Sequence, residues 1–200
     1  MMASTGEQTI IVGVYGLAGV GKSSIVDELV RRHPETYVQC AFAASLKRGV
    51  EGLLGLPAGA AELDETKATK VPELGMTVGR LLQEFGSSLR AGLRSDVFPL
   101  LLQRRLVPGK VNIVTDVRTV DDMEWVRRQP ANLLVKIERP WEEHCDVYAR
   151  TGRNPAHGSE TDQLRFVPDA VVHNSSARPL LAAVEQLRHA IDDYFVARAP

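Results

Sequence analysis

Residues 16–23 read Gly16-Leu17-Ala18-Gly19-Val20-Gly21-Lys22-Ser23, which places three glycines, a lysine and a hydroxyl in the spacing G-x-x-x-x-G-K-[ST]. That combination suits one kind of chemistry. Glycines let a backbone curl until successive N–H groups converge on an anion, and a helix beginning where the curl ends adds partial positive charge. Lys22 is placed to bridge the β- and γ-phosphates of a nucleoside triphosphate, and Ser23 to offer its hydroxyl to Mg²⁺. The backbone through Ser24 is the expected ATP-binding loop.

A second set of polar residues lies far along the chain. Asp116 follows the apolar string VNIVT, so its carboxylate is expected at the carboxyl end of a buried parallel strand, where open α/β sheets bind their ligands. It is the acid that such a loop needs, holding Mg²⁺ through water or orienting an acceptor, with helix capping as the competing role. Arg118, two residues on, is expected to fork onto a phosphate or to pair with a carboxylate. Arg150 and Arg153 flank Thr151-Gly152 in a polar stretch and are placed to close over ATP, or else to lie in a solvated basic loop. Lys22, Asp116, Arg118, Arg150 and Arg153 form the expected catalytic set, and Ser23 and Asp116 the expected metal ligands.

These residues need a scaffold. The runs 9–15 (TIIVGVY), 37–42, 111–115 and 133–137 are short, β-branched and almost continuously apolar, as in strands covered on both faces, and 170–173 is a short last strand. Helical spacing appears over 24–32, 43–54, 77–85, 89–106 and 179–195, and Thr119 followed by Asp122 is a capping box. Strands alternating with helices predict a three-layer α/β fold, a parallel sheet of about five strands flanked by helices. Residues 57–76 mix glycine, proline and charge and read as an irregular loop with little core. Residues 141–165, broken by Gly152, Pro155 and Gly158, read as a lid that projects from the sheet and is mobile without ligand. No repeat or linker divides the chain, so one domain is expected over 1–200.

Composition excludes other classes. With 24 basic and 25 acidic residues, net charge −1, no overall field would hold nucleic acid or an anionic membrane. The start, MMASTGEQ, lacks a basic segment followed by an apolar run, and no stretch reaches the roughly 18 apolar residues of a spanning helix. A cytoplasmic address is expected. Cys40 and Cys145 are too few and too far apart for a disulfide scaffold or a four-ligand zinc site, and His144 beside Cys145 has no second ligand pair nearby.

Taken in order, several short strings give the chain a resemblance. They are Phe42-Ala43-Ala44-Ser45-Leu46-Lys47; Arg80-Leu81-Leu82-Gln83 followed by Gly86, Arg90 and Asp96; Asp116-Val117-Arg118; His157-Gly158-Ser159-Glu160; and the strand at 169–174. Together with the glycine loop they resemble the deoxynucleoside monophosphate kinases of tailed bacteriophages, members of the nucleoside monophosphate kinase group, over nearly the whole chain. The resemblance implies the P-loop NTPase fold and transfer of the ATP γ-phosphoryl group to a deoxynucleoside monophosphate in a host cytoplasm. It implies an acceptor-binding helical region near 44–106 and a lid near 141–165. Lys47, Arg80, Gln83, Arg90 and Arg118 would line the monophosphate pocket, and Arg150 and Arg153 would belong to the lid. Ser87-Ser88 and Phe98 depart from the threonine-glutamate and tryptophan of that pattern, which bears on base preference.

Rival readings remain at this point. A nucleoside kinase or a dephospho-coenzyme A kinase would share the loop, although arginines at 80, 90 and 118 favour an acceptor that already carries phosphate. A GTPase switch would need a guanine-reading N-K-x-D string, which is absent. A non-catalytic nucleotide-binding scaffold is the third reading. Apolar residues between 97 and 106 would serve either a homodimer or the core.

Overall fold

The computed structural model describes residues 9–197. The amino-terminal stretch read above for a targeting signal therefore lies outside the described residues. In chain order the elements are β1 (Ile10–Tyr15), α1 (Lys22–Arg32), β2 (Tyr37–Cys40), α2 (Ala44–Leu54), α3 (Asp64–Ala68), β3 (Lys70–Val71) and β4 (Met76–Thr77). They continue with α4 (Val78–Gly92), α5 (Val97–Gln103), β5 (Val111–Val114), α6 (Val120–Arg127) and β6 (Ala131–Glu138). The last are α7 (Asp146–Thr151), α8 (Gly158–Thr161), β7 (Ala170–His173) and α9 (Leu180–Val196).

Five strands form one parallel sheet in the order β2-β5-β1-β6-β7, with Ile10 level with Val111 on one side and with Ala131 on the other. The near-continuous apolar character of β1 follows from its central position. Alternation along the strand sends Val12 and Val14 to one face, where Ile25, Val26 and Leu29 of α1 meet Val184, Leu187 and Ile191 of α9. Ile11 and Tyr15 point the other way, into a second core with Phe98 and Leu102 of α5 and Trp125 and Val126 of α6. Two helical layers with a sheet between them make the three-layer α/β P-loop fold. A parallel sheet aligns its carboxyl ends on one edge, so the turns after β1, β2, β5 and β6 all open there.

Local chemistry sets the helix ends. Thr119 and Asp122 form both bonds of the capping box at the start of α6. Leu56 N–H returns to Glu51 O, and Gly55, in the left-handed region, closes α2.

Three expectations are corrected by packing. The helix expected to pause near Gly86 runs on as α4, because a side chain at Gly86 would press against Leu46 of α2; the glycine serves the helix crossing, and the break comes at 93–96 instead. Residues 57–76 hold α3 and a β3–β4 hairpin, with Ala61 and Val71 buried. The lid segment does not project: α7 packs Val147 and Tyr148 against Ala18 of the loop. In α5, Phe98 and Leu102 are buried, so the core accounts for much of its apolar face. Among the described residues, no helix is long and apolar enough to cross a membrane.

Candidate active site

The glycine loop occupies the turn between β1 and α1. Gly16 and Gly21 have φ of 144° and 92°, and a Cβ at either would lie 2.4 Å from another atom, Ile137 O for Gly16 and Asn174 Nδ2 for Gly21. Glycine is therefore required twice, by backbone conformation and by the approach of β6 and of the β7–α9 turn. Lys22 is buried and folds back over the loop, its Nζ donating to Gly16 O (2.6 Å) and Leu17 O (2.8 Å). Burial, and after it the Arg118 charge, holds its ammonium well below the ordinary lysine range. Ser23 and Ser24 are exposed on the first turn of α1.

Several distant side chains shape this loop, and sequence reasoning missed them. Asn174 Nδ2 donates to Val20 O at 2.8 Å, Gly16 N donates to Gln163 Oε1 at 3.0 Å, and buried His144 holds Ala18 O through Nδ1 at 2.9 Å. His144 is thus a loop support. Among the described residues no cluster of histidine, cysteine, aspartate and glutamate is able to hold a metal ion by itself.

At the loop's mouth stands Glu160, almost fully buried. Its Oε1 accepts from Arg118 Nη1 at 3.0 Å and from Arg153 Nη2; its Oε2 accepts from Tyr148 Oη at 2.9 Å and from Ala18 N at 3.3 Å. Burial alone would raise its pKa, but Arg118, Arg153 and Lys22 outweigh burial and hold the carboxyl below its usual range. Burial and then Arg118 bring Arg153 down to about 10. Burial, followed by the Glu160 charge, pushes Tyr148 up to about 12. Lys22, Arg118 and Arg153 are therefore crowded together with one carboxylate between them.

Asp116 is buried at the end of β5, and its two oxygens accept from Phe42 N (2.7 Å) and Ala43 N (2.9 Å), tying β5 to the entrance of α2. A carboxylate has about four lone-pair sites, so two acceptor directions remain. The donor set fits Mg²⁺ bound with a triphosphate. Such an ion takes one or two protein oxygens and completes its shell with phosphate and water, which Ser23 Oγ and Asp116 allow.

The other expected residues are held elsewhere. Arg150 is half-exposed, 3.8 Å from Asp64 and 3.7 Å from Asp146. Lys47 pairs with Glu62 and Arg80 with Glu84, both at 2.5 Å. Arg90 donates to buried Asp122 at 2.8 Å and lies 4.6 Å over the Phe98 ring. Gln83 accepts from Asn154 N at 3.0 Å and donates to Asn154 O at 3.5 Å.

Gln83 is one rung of a ladder between α4 and the lid. Thr77 Oγ1 caps α4 and donates to Thr151 O at 2.6 Å, and Ser87 Oγ meets His157 Nε2 at 3.0 Å. Gly79 lets the two backbones touch, since a Cβ there would lie 2.8 Å from Thr151 O.

Beside the loop opens a cavity of about 620 Å³, lined among others by Gly16, Val20, Arg139, His144, Asn174 and Arg178. Another, about 460 Å³, lies near Arg94, Asp96, Asp121 and Trp125 and contains no loop residue.

No protein-family model matches the chain, and no curated protein matches it in sequence. Solved structures do. Shikimate kinase from Acinetobacter baumannii, in complex with shikimate, aligns over 94% of this chain and 96% of its own at 13% identity and a TM-score of 0.51. The APS kinase of Mycobacterium tuberculosis, in complex with AMPPNP and APS, aligns over 92% and 98% at 18% identity and the same TM-score. The chain has the fold of the P-loop kinases.

Proposed function

We propose that this protein is an ATP-dependent phosphotransferase whose acceptor is a deoxynucleoside 5′-monophosphate, giving the diphosphate and ADP. The observation that carries the reading is the convergence of Arg118 and Arg153 on Glu160, whose other oxygen accepts from Ala18 N of the glycine loop over which Lys22 folds. Two anionic substrates repel each other, and cations from both sides of the gap are needed to bring them into line. A phosphate oxygen of the acceptor attacks the γ-phosphorus while the bond from that phosphorus to the β,γ-bridging oxygen breaks and ADP leaves. The loop amides and Lys22 hold the triphosphate, Arg118 and Arg153 face the transferring group, and Arg150 would join them only by moving. Ser23 and Asp116 would hold Mg²⁺, which would supply charge neutralisation on the phosphates. The cavity lined by Arg139, Asn174 and Arg178 is suited to the nucleoside end of ATP. The acceptor would enter between α2 and α4, exchanging the ion pairs of Lys47 and Arg80 for contacts to its phosphate.

One observation favours a second reading. Arg80 and Arg90 are already paired with Glu84 and Asp122, which suits an acceptor without phosphate, such as the shikimate bound in the Acinetobacter baumannii shikimate kinase structure. ADP formation from ATP·Mg²⁺, assayed with deoxynucleoside monophosphates, ribonucleotides, nucleosides and neutral polyols, separates the two. Turnover restricted to deoxynucleoside monophosphates supports the first; turnover only with a phosphate-free acceptor replaces it with the second.

A further inference from the structure

The Glu160 carboxylate occupies a peculiar place for a structural ion pair. Two arginines, one tyrosine and one amide of the glycine loop converge on its two oxygens, and Lys22 lies on the same loop. An Ala18 N–H pointing at a carboxylate is a loop donor diverted from a phosphate. Four donors fill the roughly four acceptor directions of the carboxylate, and Arg153 Nε, on the same guanidinium, is buried with no hydrogen-bond partner. A tetrahedral phosphoryl group presents a third oxygen to such a set; a planar carboxylate does not.

We infer that Glu160 stands in for the transferring phosphoryl group: its oxygens hold the Arg118, Arg153 and Ala18 donors in the free chain and are displaced when the triphosphate binds. This rests on the kinase reading above and deepens it, since it locates the transferring group between Lys22, Arg118 and Arg153. Glu160 is then a positioning residue. It keeps two like-charged arginines together before substrate arrives, and its displacement is opposed by its own ion pairs, which lowers apparent anion affinity by the fraction of chains in which the site is free. The lid carries Glu160, Arg153 and Tyr148 together, so its displacement changes how the lid sits on the loop.

The test uses inorganic tripolyphosphate as the probe, with affinity measured calorimetrically on the full chain. Removing the competing charge in Glu160→Gln should tighten binding roughly tenfold, the scale of a typical coupling free energy. Tyr148→Phe removes one of the donors that fix Glu160 and should tighten binding by a smaller factor. Should Glu160→Gln fail to fold, Tyr148→Phe alone decides, tighter binding supporting displacement and unchanged or weaker binding overturning it. Equal or weaker binding by folded Glu160→Gln overturns the proposal and leaves the kinase reading standing. If the unaltered chain binds neither tripolyphosphate nor ATP·Mg²⁺, the kinase reading falls and this proposal with it.

Discussion

Replacing Asp116 by asparagine tests whether this acid is first a structural tie. Its oxygens accept from Phe42 N at 2.7 Å and Ala43 N at 2.9 Å, and all three residues lie at the junction of β5, β2 and α2. Asparagine keeps one oxygen but turns an NH₂ toward the other amide, so one inward-facing N–H loses its acceptor and meets a donor. An unsatisfied buried amide costs about 1–3 kcal/mol, and weakening the surviving charge-assisted bond adds about 1 kcal/mol, for a loss of about 2–4 kcal/mol. For a chain of this length that corresponds to about 5–12 °C in melting temperature. Thermal unfolding followed by circular dichroism, with and without ATP·Mg²⁺, measures it. A melting temperature within about 1 °C of the parent, less than one lost hydrogen bond would give, refutes the tie. Loss of activity alongside that unchanged stability would assign Asp116 to the metal alone.

Other outcomes follow from the same geometry. Lys22→Ala should lower turnover by about a hundred- to a thousand-fold, the usual cost of one preorganised charge donor, while circular dichroism stays native, because the lysine's partners are two loop carbonyls that water can serve. Gly79→Ala drives a Cβ to 2.8 Å from Thr151 O and 3.2 Å from Lys67 O, both backbone atoms; amide exchange should accelerate across 146–161 with little change in the sheet. Burial lowers the His157 pKa below 6.5, so between that lowered value and 6.5 the unfolded chain binds more protons and stability from this group rises with pH. Melts from pH 5 to 7 should show that rise in the parent and lose it in His157→Gln; identical pH profiles would show that the Ser87–His157 contact does not titrate.

The sequence carried the loop and its sheet because both are local. Glycine spacing between residues 16 and 21, the period of β1 and the Thr119–Asp122 cap need only neighbours a few positions away. What it hid is long-range pairing. Nothing at position 160 reveals that its carboxylate meets Ala18, 142 residues earlier, or that Asn174 meets Val20 across 154. Arginines at 90 and 150 read as cations available for phosphate, but Asp122 and Asp64 are brought to them by the fold, whereas the Arg80–Glu84 pair is a local i,i+4 contact along α4. The packing of the lid segment is hidden for the same reason. Its polar, glycine-broken composition describes its outer surface, whereas Val147, Tyr148 and Thr151 supply the buried contacts that hold it down.

The most direct test of the central claim is to follow the label from ATP carrying ³²P in the γ position, with Mg²⁺ and an equimolar mixture of the four deoxynucleoside monophosphates, by chromatographic separation of the products. The account predicts label in a deoxynucleoside diphosphate, formed about a hundred- to a thousand-fold more slowly by Lys22→Ala. Label released only as inorganic phosphate, or retained entirely in ATP, would contradict it.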